Sequence, residues 1–228
     1  MKKPKFEGDK KKEKSWIDNK AQKVVDFIVP YIPKYIETYH LTFSTILWSL
    51  FIIVFSFFAK DNINWLWLVS LMILFQYITD VLDGAVGRYR NTGLIKWGYY
   101  MDHFLDYIFL CSVLIGYSFI VEKNIYSLFF ILALFGAFMV NPYLDFAATN
   151  KFKIVYLNFG PTETRILFIV INTLFVIFGK TYLSAILPCI LIFSLIGLCI
   201  VVYRTQREIW EIDMRDKREN LKLKSKKS

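Results

Sequence analysis

Six long apolar stretches, near residues 42–59, 64–86, 97–121, 125–147, 163–179 and 182–203, decide what this chain can fold into. Each is close to the roughly 20 residues a helix needs to cross a bilayer core. A lipid interior offers no hydrogen-bond partners, so each stretch must satisfy its own backbone as a helix. The expected fold is all-α: a polytopic membrane protein with six transmembrane helices. The chain has 228 residues, 56% hydrophobic and 18% aromatic, which leaves no room for a separate soluble core. Tight turns are expected at 60–63, 122–124 and 180–181, and longer polar connections at 87–96 and 148–162.

The charges lie outside these spans. Residues 1–14 are mostly charged and read as a disordered basic tail. In the next segment, 15–41, Ile17, Ala21, Val24, Val25 and Ile28 recur at helical spacing against Asp18, Lys20, Gln22, Lys23 and Asp26, with Ser15 and Asp18 as a cap. That pattern describes an amphipathic helix in the membrane interface, ended by Pro30 and Pro33. It is not a signal peptide, since the first long apolar stretch begins only at residue 42. Residues 42–203 form the transmembrane domain, and 204–228 a basic tail. Of the 28 Lys and Arg residues, all but Lys60, Lys123 and Lys180 fall in residues 1–41, 87–96, 148–165 and the tail. The positive-inside rule therefore puts both termini in the cytoplasm, and in a bacterium the membrane would be the cell membrane. The net charge of +9 speaks for orientation and contact with anionic lipid, not for nucleic acid. Cys111, Cys189 and Cys199 all lie in apolar runs and read as packing residues.

Residues 80–107 read DVLDGAVGRYRNTGLIKWGYYMDHFLDY. Asp80, Asp83, Asp102 and Asp106 thus lie on or beside two consecutive spans. A charged aspartate at a span centre costs roughly 2.5–3.5 kcal/mol on insertion scales, and such residues mark function. Asp80 and Asp83 are three apart and share a helix face; Asp102 and Asp106 are four apart and share another. The spans are antiparallel with a short connection, so the two pairs sit at similar depth and can face each other. Converging carboxylates in low dielectric repel or take up protons unless a cation joins them. An oxygen-only set suits Mg²⁺ or Mn²⁺, and four carboxylates can hold two ions about 3.5–4 Å apart. Gly84 and Gly87 would let a nucleotide approach the backbone, or else let helices pack closely. Gly98, one turn before Asp102, keeps the carboxylate face open as part of the site wall. Arg88, one turn past Gly84, can reach a diphosphate.

The pattern resembles the signature of the CDP-alcohol phosphotransferase (CDP-alcohol phosphatidyltransferase) family: D-x2-D-G-x2-A-R, eight or nine residues, then G-x3-D-x3-D. Here it runs Asp80, Asp83, Gly84, Gly87, Arg88, nine residues, Gly98, Asp102, Asp106, with Gly87 in place of the alanine. The likeness extends to the six-span layout, the surface helix and Thr42. It implies that Asp80, Asp83 and Asp102 bind metal. It also implies that Asp106 binds metal and acts as general base, and that Gly84, Gly87 and Arg88 line the CDP site beside Asp80 and Asp83. The residues alone allow a base but do not choose Asp106 over Asp102. The implied reaction moves a substituted phosphate from a CDP-activated donor, most often CDP-diacylglycerol, to an alcohol, with release of CMP, in phospholipid biosynthesis. At least one substrate would be a lipid. A CDP-choline or CDP-ethanolamine donor with a diacylglycerol acceptor is the alternative, and a homodimer is a further implication.

Other polar residues carry weaker signals. Gln76, one turn before Asp80, either contacts the nucleotide from the site wall or bonds a neighbouring helix. The Asp102–His103 pair is similar to the choline/ethanolamine branch, although adjacent helical residues point about 100° apart. In NFGPTETR, residues 158–165, Glu163 and Arg165 are candidates for binding the acceptor, for instance a phosphate on Arg165 with Lys151 or Lys153 nearby. The plainer reading is a helix cap and a snorkelling arginine. Asp145 is either support for the site or interfacial, and His40 is interfacial. An ion-coupled transporter would use the same carboxylates but should show internal repeats or helices broken at mid-bilayer, and the sequence has neither.

Overall fold

The structure is a computed structural model that describes residues 24–150, 160–179 and 181–225. The tail at 1–14, the first turns of the surface helix, and Lys151 and Lys153 lie outside the described residues. Six long helices follow in order: α1 (Thr38–Ala59), α2 (Leu66–Arg90), α3 (Ile95–Ile120), α4 (Ile125–Thr149), α5 (Pro161–Phe178) and α6 (Thr181–Ser225). All six contain a stretch long and apolar enough to cross a membrane, and no strand occurs among the described residues. The chain is an all-α, multi-pass integral membrane protein, as its apolar periodicity predicts.

Helix ends differ from the apolar runs where local chemistry extends them. At the start of α1 the Glu37 N–H donates to His40 Nδ1 at 3.0 Å, so the helix begins at Thr38. The second helix continues through Gly84 and Gly87 to Arg90 and stops at Asn91, whose φ of 50° is left-handed, a conformation asparagine tolerates. The whole first half of the motif therefore rides on one rigid helix. At the other end of the chain, the segment expected as a basic tail continues α6 to Ser225. Nothing in it breaks a helix: residues 198–225 contain neither Gly nor Pro, and Arg207 pairs with Glu211 one turn on, at 3.2 Å. At 1.5 Å per residue the 45-residue α6 is roughly twice as long as a bilayer core is thick.

The third helix lies at the centre, with half of its apolar window buried against 11% in α6. It packs on α1, which also carries α2, while α5 closes onto α2, and α4 and α6 pair beside α3. The core joins Ile52, Val69, Ile73, Phe109, Val113, Tyr117, Leu128 and Phe168. Lipid is as apolar as these side chains, so close approach of backbones matters more here than in water. One face of α1 accordingly buries Thr38, Thr42, Thr45, Ser49 and Ser56. Gly116 of α3 meets that face: a Cβ there would lie 2.5 Å from Ser56 Oγ.

Residues 24–28 are helical and run into a 3₁₀ turn at Val29–Tyr31. Val25 and Val29 are buried on Ala85 and Val86 of α2, while Phe27, Tyr31 and Tyr35 point outward. Arg90 fastens this segment. Its guanidinium donates to the carbonyls of Ile36 at 2.6 Å, Ile32 at 3.0 Å and Pro33 at 3.1 Å.

Candidate active site

The end of α2 and the start of α3 both face the first turns of α5. Along α2 come Gln76, Asp80, Asp83, Gly84, Gly87 and Arg88; along α3 come Gly98, Asp102, His103 and Asp106; on α5 are Glu163 and Arg165. Arg165 ties the three helices together. Its Nη2 donates to Asp106 Oδ1 at 2.7 Å and lies 3.1 Å from Asp80 Oδ2, and its Nε donates to Gln76 Oε1 at 2.7 Å. Only 5% of the side chain is exposed, so it turns into the bundle rather than outward. Its charge is compensated inside the bundle by carboxylates from two different helices, and the rings of Tyr77 and Phe109 flank it, with centroids 5.9 and 5.7 Å from Cζ.

Gln76 is fully buried and has turned to this arginine, and its Nε2 lacks a hydrogen-bond partner. Asp83, the most buried of the four aspartates, accepts a bond from Thr42 of α1, which ties the first helix to the carboxylate cluster. The glycines make room. A Cβ at Gly84 would press on Arg88 Nη1 at 3.2 Å, one at Gly87 would come within 3.6 Å of Thr38, and one at Gly98 would enter open space.

Next along α3, His103 Nδ1 lies 3.8 Å from Asp102 Oδ2, although the two residues are a 100° step apart on the helix. The imidazole packs between the rings of Tyr99 and Tyr143, with centroids 4.6 and 5.3 Å away. Tyr143, from α4, is also within Coulombic range of Asp106 and Asp102. Asp145 is buried, with Thr149 as a neighbour at 3.4 Å. Glu163 accepts the N–H of Gly160 at 2.9 Å and so serves as the cap of α5. Tyr77 and Tyr143 went unnoticed in the sequence. In a chain with 14 tyrosines, nothing local sets these two apart.

The model of the CDP-alcohol phosphatidyltransferase family matches residues 38–201, from the first residue of α1 into α6. This chain belongs to that family. No curated protein and no solved structure matches it significantly. A CDP-alcohol phosphatidyltransferase moves a phosphate-linked group from a CDP-alcohol to an acceptor, and its substrates are often lipids. The activity class is thus that of a membrane phosphotransferase.

The family is in general dependent on divalent metal. Two observations test whether this site suits one. The donors are four carboxylates and no thiolate, the set preferred by a hard cation. A cation, the Arg165 guanidinium, already lies between Asp80 and Asp106. Among the described residues no three acidic or histidine side chains converge on a single point. Asp80 and Asp106 are engaged with Arg165, and Asp83 with Thr42. The donor chemistry fits.

Proposed function

We propose that this CDP-alcohol phosphatidyltransferase uses CDP-diacylglycerol as donor and an alcohol bearing an anionic group as acceptor, with release of CMP. The observation that carries the reading is the buried cation, Arg165, among the carboxylates at the α2–α3 junction. A charge so costly to bury is an anchor for an anion, such as a phosphate on the acceptor. Lys151 and Lys153 are further candidates for that anion, and Glu163 contributes by holding the start of α5 in place.

Asp80, Asp83, Asp102 and Asp106 would hold Mg²⁺ or Mn²⁺, two ions in all, which neutralise charge on the donor diphosphate. Gly84 and Gly87 let the CDP lie against the α2 backbone, and Arg88 meets the diphosphate. Asp106 takes the proton of the acceptor hydroxyl. The acceptor oxygen bonds to the phosphorus that carries diacylglycerol, the phosphoanhydride bond breaks, and its electron pair leaves with CMP. Residues 42–203 would be the catalytic domain, 15–41 its interfacial helix and 204–228 a cytoplasmic extension, with both termini cytoplasmic, anionic lipid at the basic segments and the chain a homodimer.

A second reading, a CDP-choline or CDP-ethanolamine donor with diacylglycerol as acceptor, is favoured by the contact of His103 with Asp102 between Tyr99 and Tyr143. The deciding experiment crosses radiolabelled CDP-diacylglycerol and CDP-aminoalcohols against glycerol phosphate, inositol, inositol phosphate, serine and diacylglycerol. Product with CDP-diacylglycerol and a phosphorylated alcohol is expected. Product only from a CDP-aminoalcohol and diacylglycerol would replace the first reading by the second.

A further inference from the structure

Arg165 is joined to the cluster in an asymmetric way. Its Nε is bound to Gln76, a fully buried neutral residue, while Nη2 alone serves both Asp80 and Asp106. Displacing this one nitrogen would thus release two carboxylates at once. The α5 backbone is itself held two turns deeper, where Asn172 bonds Tyr117 of α3 and Ser70 of α2 at 2.9 and 3.1 Å.

We infer that Arg165 and divalent metal compete for Asp80 and Asp106, so that Arg165 lowers metal affinity and is turned out for an anionic acceptor as metal binds. The inference rests on the proposed metal site. The carboxylate oxygens engaged by Nη2 cannot at the same time serve as close ligands of an ion bridging α2 and α3. Two cations a few ångströms apart in low dielectric also repel strongly. Metal loading therefore displaces the guanidinium as a unit from the carboxylates. Linkage makes the effect reciprocal: an anion that engages the displaced guanidinium tightens metal, and metal tightens that anion. The arginine's cost in metal affinity is the source of order, metal before acceptor.

The test is Mn²⁺ binding to the detergent-solubilised full chain, read from the electron paramagnetic resonance signal of free Mn²⁺, with no turnover. Arg165→Gln is expected to bind Mn²⁺ about tenfold or more tightly than wild type, because one positive charge beside the ion is gone. Adding sulfate should tighten Mn²⁺ in wild type and leave Arg165→Gln unchanged. Arg165→Lys keeps the charge but lacks the fork. It should fall between the two, and it serves as the second variant should the glutamine protein not fold. Mn²⁺ binding that is equal or weaker in both variants overturns the inference. Asp102→Asn separates the underlying reading: wild-type Mn²⁺ binding that survives this change would mean that the aspartates are not the metal site, whatever Arg165 does.

Discussion

Two polar layers cross the interface between α2, α3 and α5, and they differ in how they are completed. The deeper layer is neutral. Tyr117 donates to Asn172, Asn172 donates to Ser70, and the Tyr117 hydroxyl also lies 3.3 Å from the Phe168 carbonyl. All three side chains are buried, and the groups satisfy one another. The outer layer is charged, with Asp80 and Asp106 on the buried guanidinium of Arg165. A neutral network sets the register between helices at small cost, whereas buried ions are costly and weak as structural glue. Asn172 stands seven residues, two turns, after Arg165 on the same face of α5. The inner layer therefore positions the helix whose outer end carries the charge.

If this division is right, changes in the outer layer should cost chemistry, and changes in the inner layer stability. Asp106→Asn is expected to lower CMP release by about 10²–10⁴-fold, the usual worth of a general base, with the protein still folded in detergent. Retained activity would remove Asp106 from the mechanism. Gly116→Ala tests packing rather than polarity. Its Cβ would press on Ser56 at the α1–α3 contact, and overpacking of this kind costs about 1–3 kcal/mol. A lowered unfolding temperature that Ser56→Gly restores would confirm the contact. Asn172→Leu should cost about 0.6–1.7 kcal/mol, the range for polar contacts inside membranes, and less activity than Asp106→Asn. An activity loss as large as that of Asp106→Asn would erase the distinction between the layers. Arg207→Ala, in the exposed part of α6, should leave thermal unfolding in detergent unchanged, because both members of its pair with Glu211 are exposed.

Much of the site is legible in the chain because it is local. The shared helix faces of Asp80 with Asp83 and of Asp102 with Asp106 follow from helical periodicity. Arg165 was one of two open readings, acceptor residue or snorkelling cation, and its burial removes the second. Gln76 stood between nucleotide and neighbouring helix, and in the structure it bonds Arg165 of α5. Glu163 follows the plainer expectation of a cap. Arg90, counted only as a positive charge, proves to bind the turn at residues 32–36. The α6 extension was hidden because charge composition resembles a tail, although its lack of helix breakers was there to see.

By itself, the sequence determined six spans, the alternation of basic connections and two carboxylate pairs at the ends of adjacent helices. Each depends only on residue type and on periods of a few positions. Tertiary structure alone decided that Arg165, 59 positions from Asp106 and 85 from Asp80, would stand between them, that Thr42 would hold Asp83, and that Asn172 would tie α5 to Ser70 and Tyr117. Such contacts depend on which helix faces meet and how far each helix is shifted along its neighbour. That choice comes from packing summed over whole interfaces, so no local spacing reveals it.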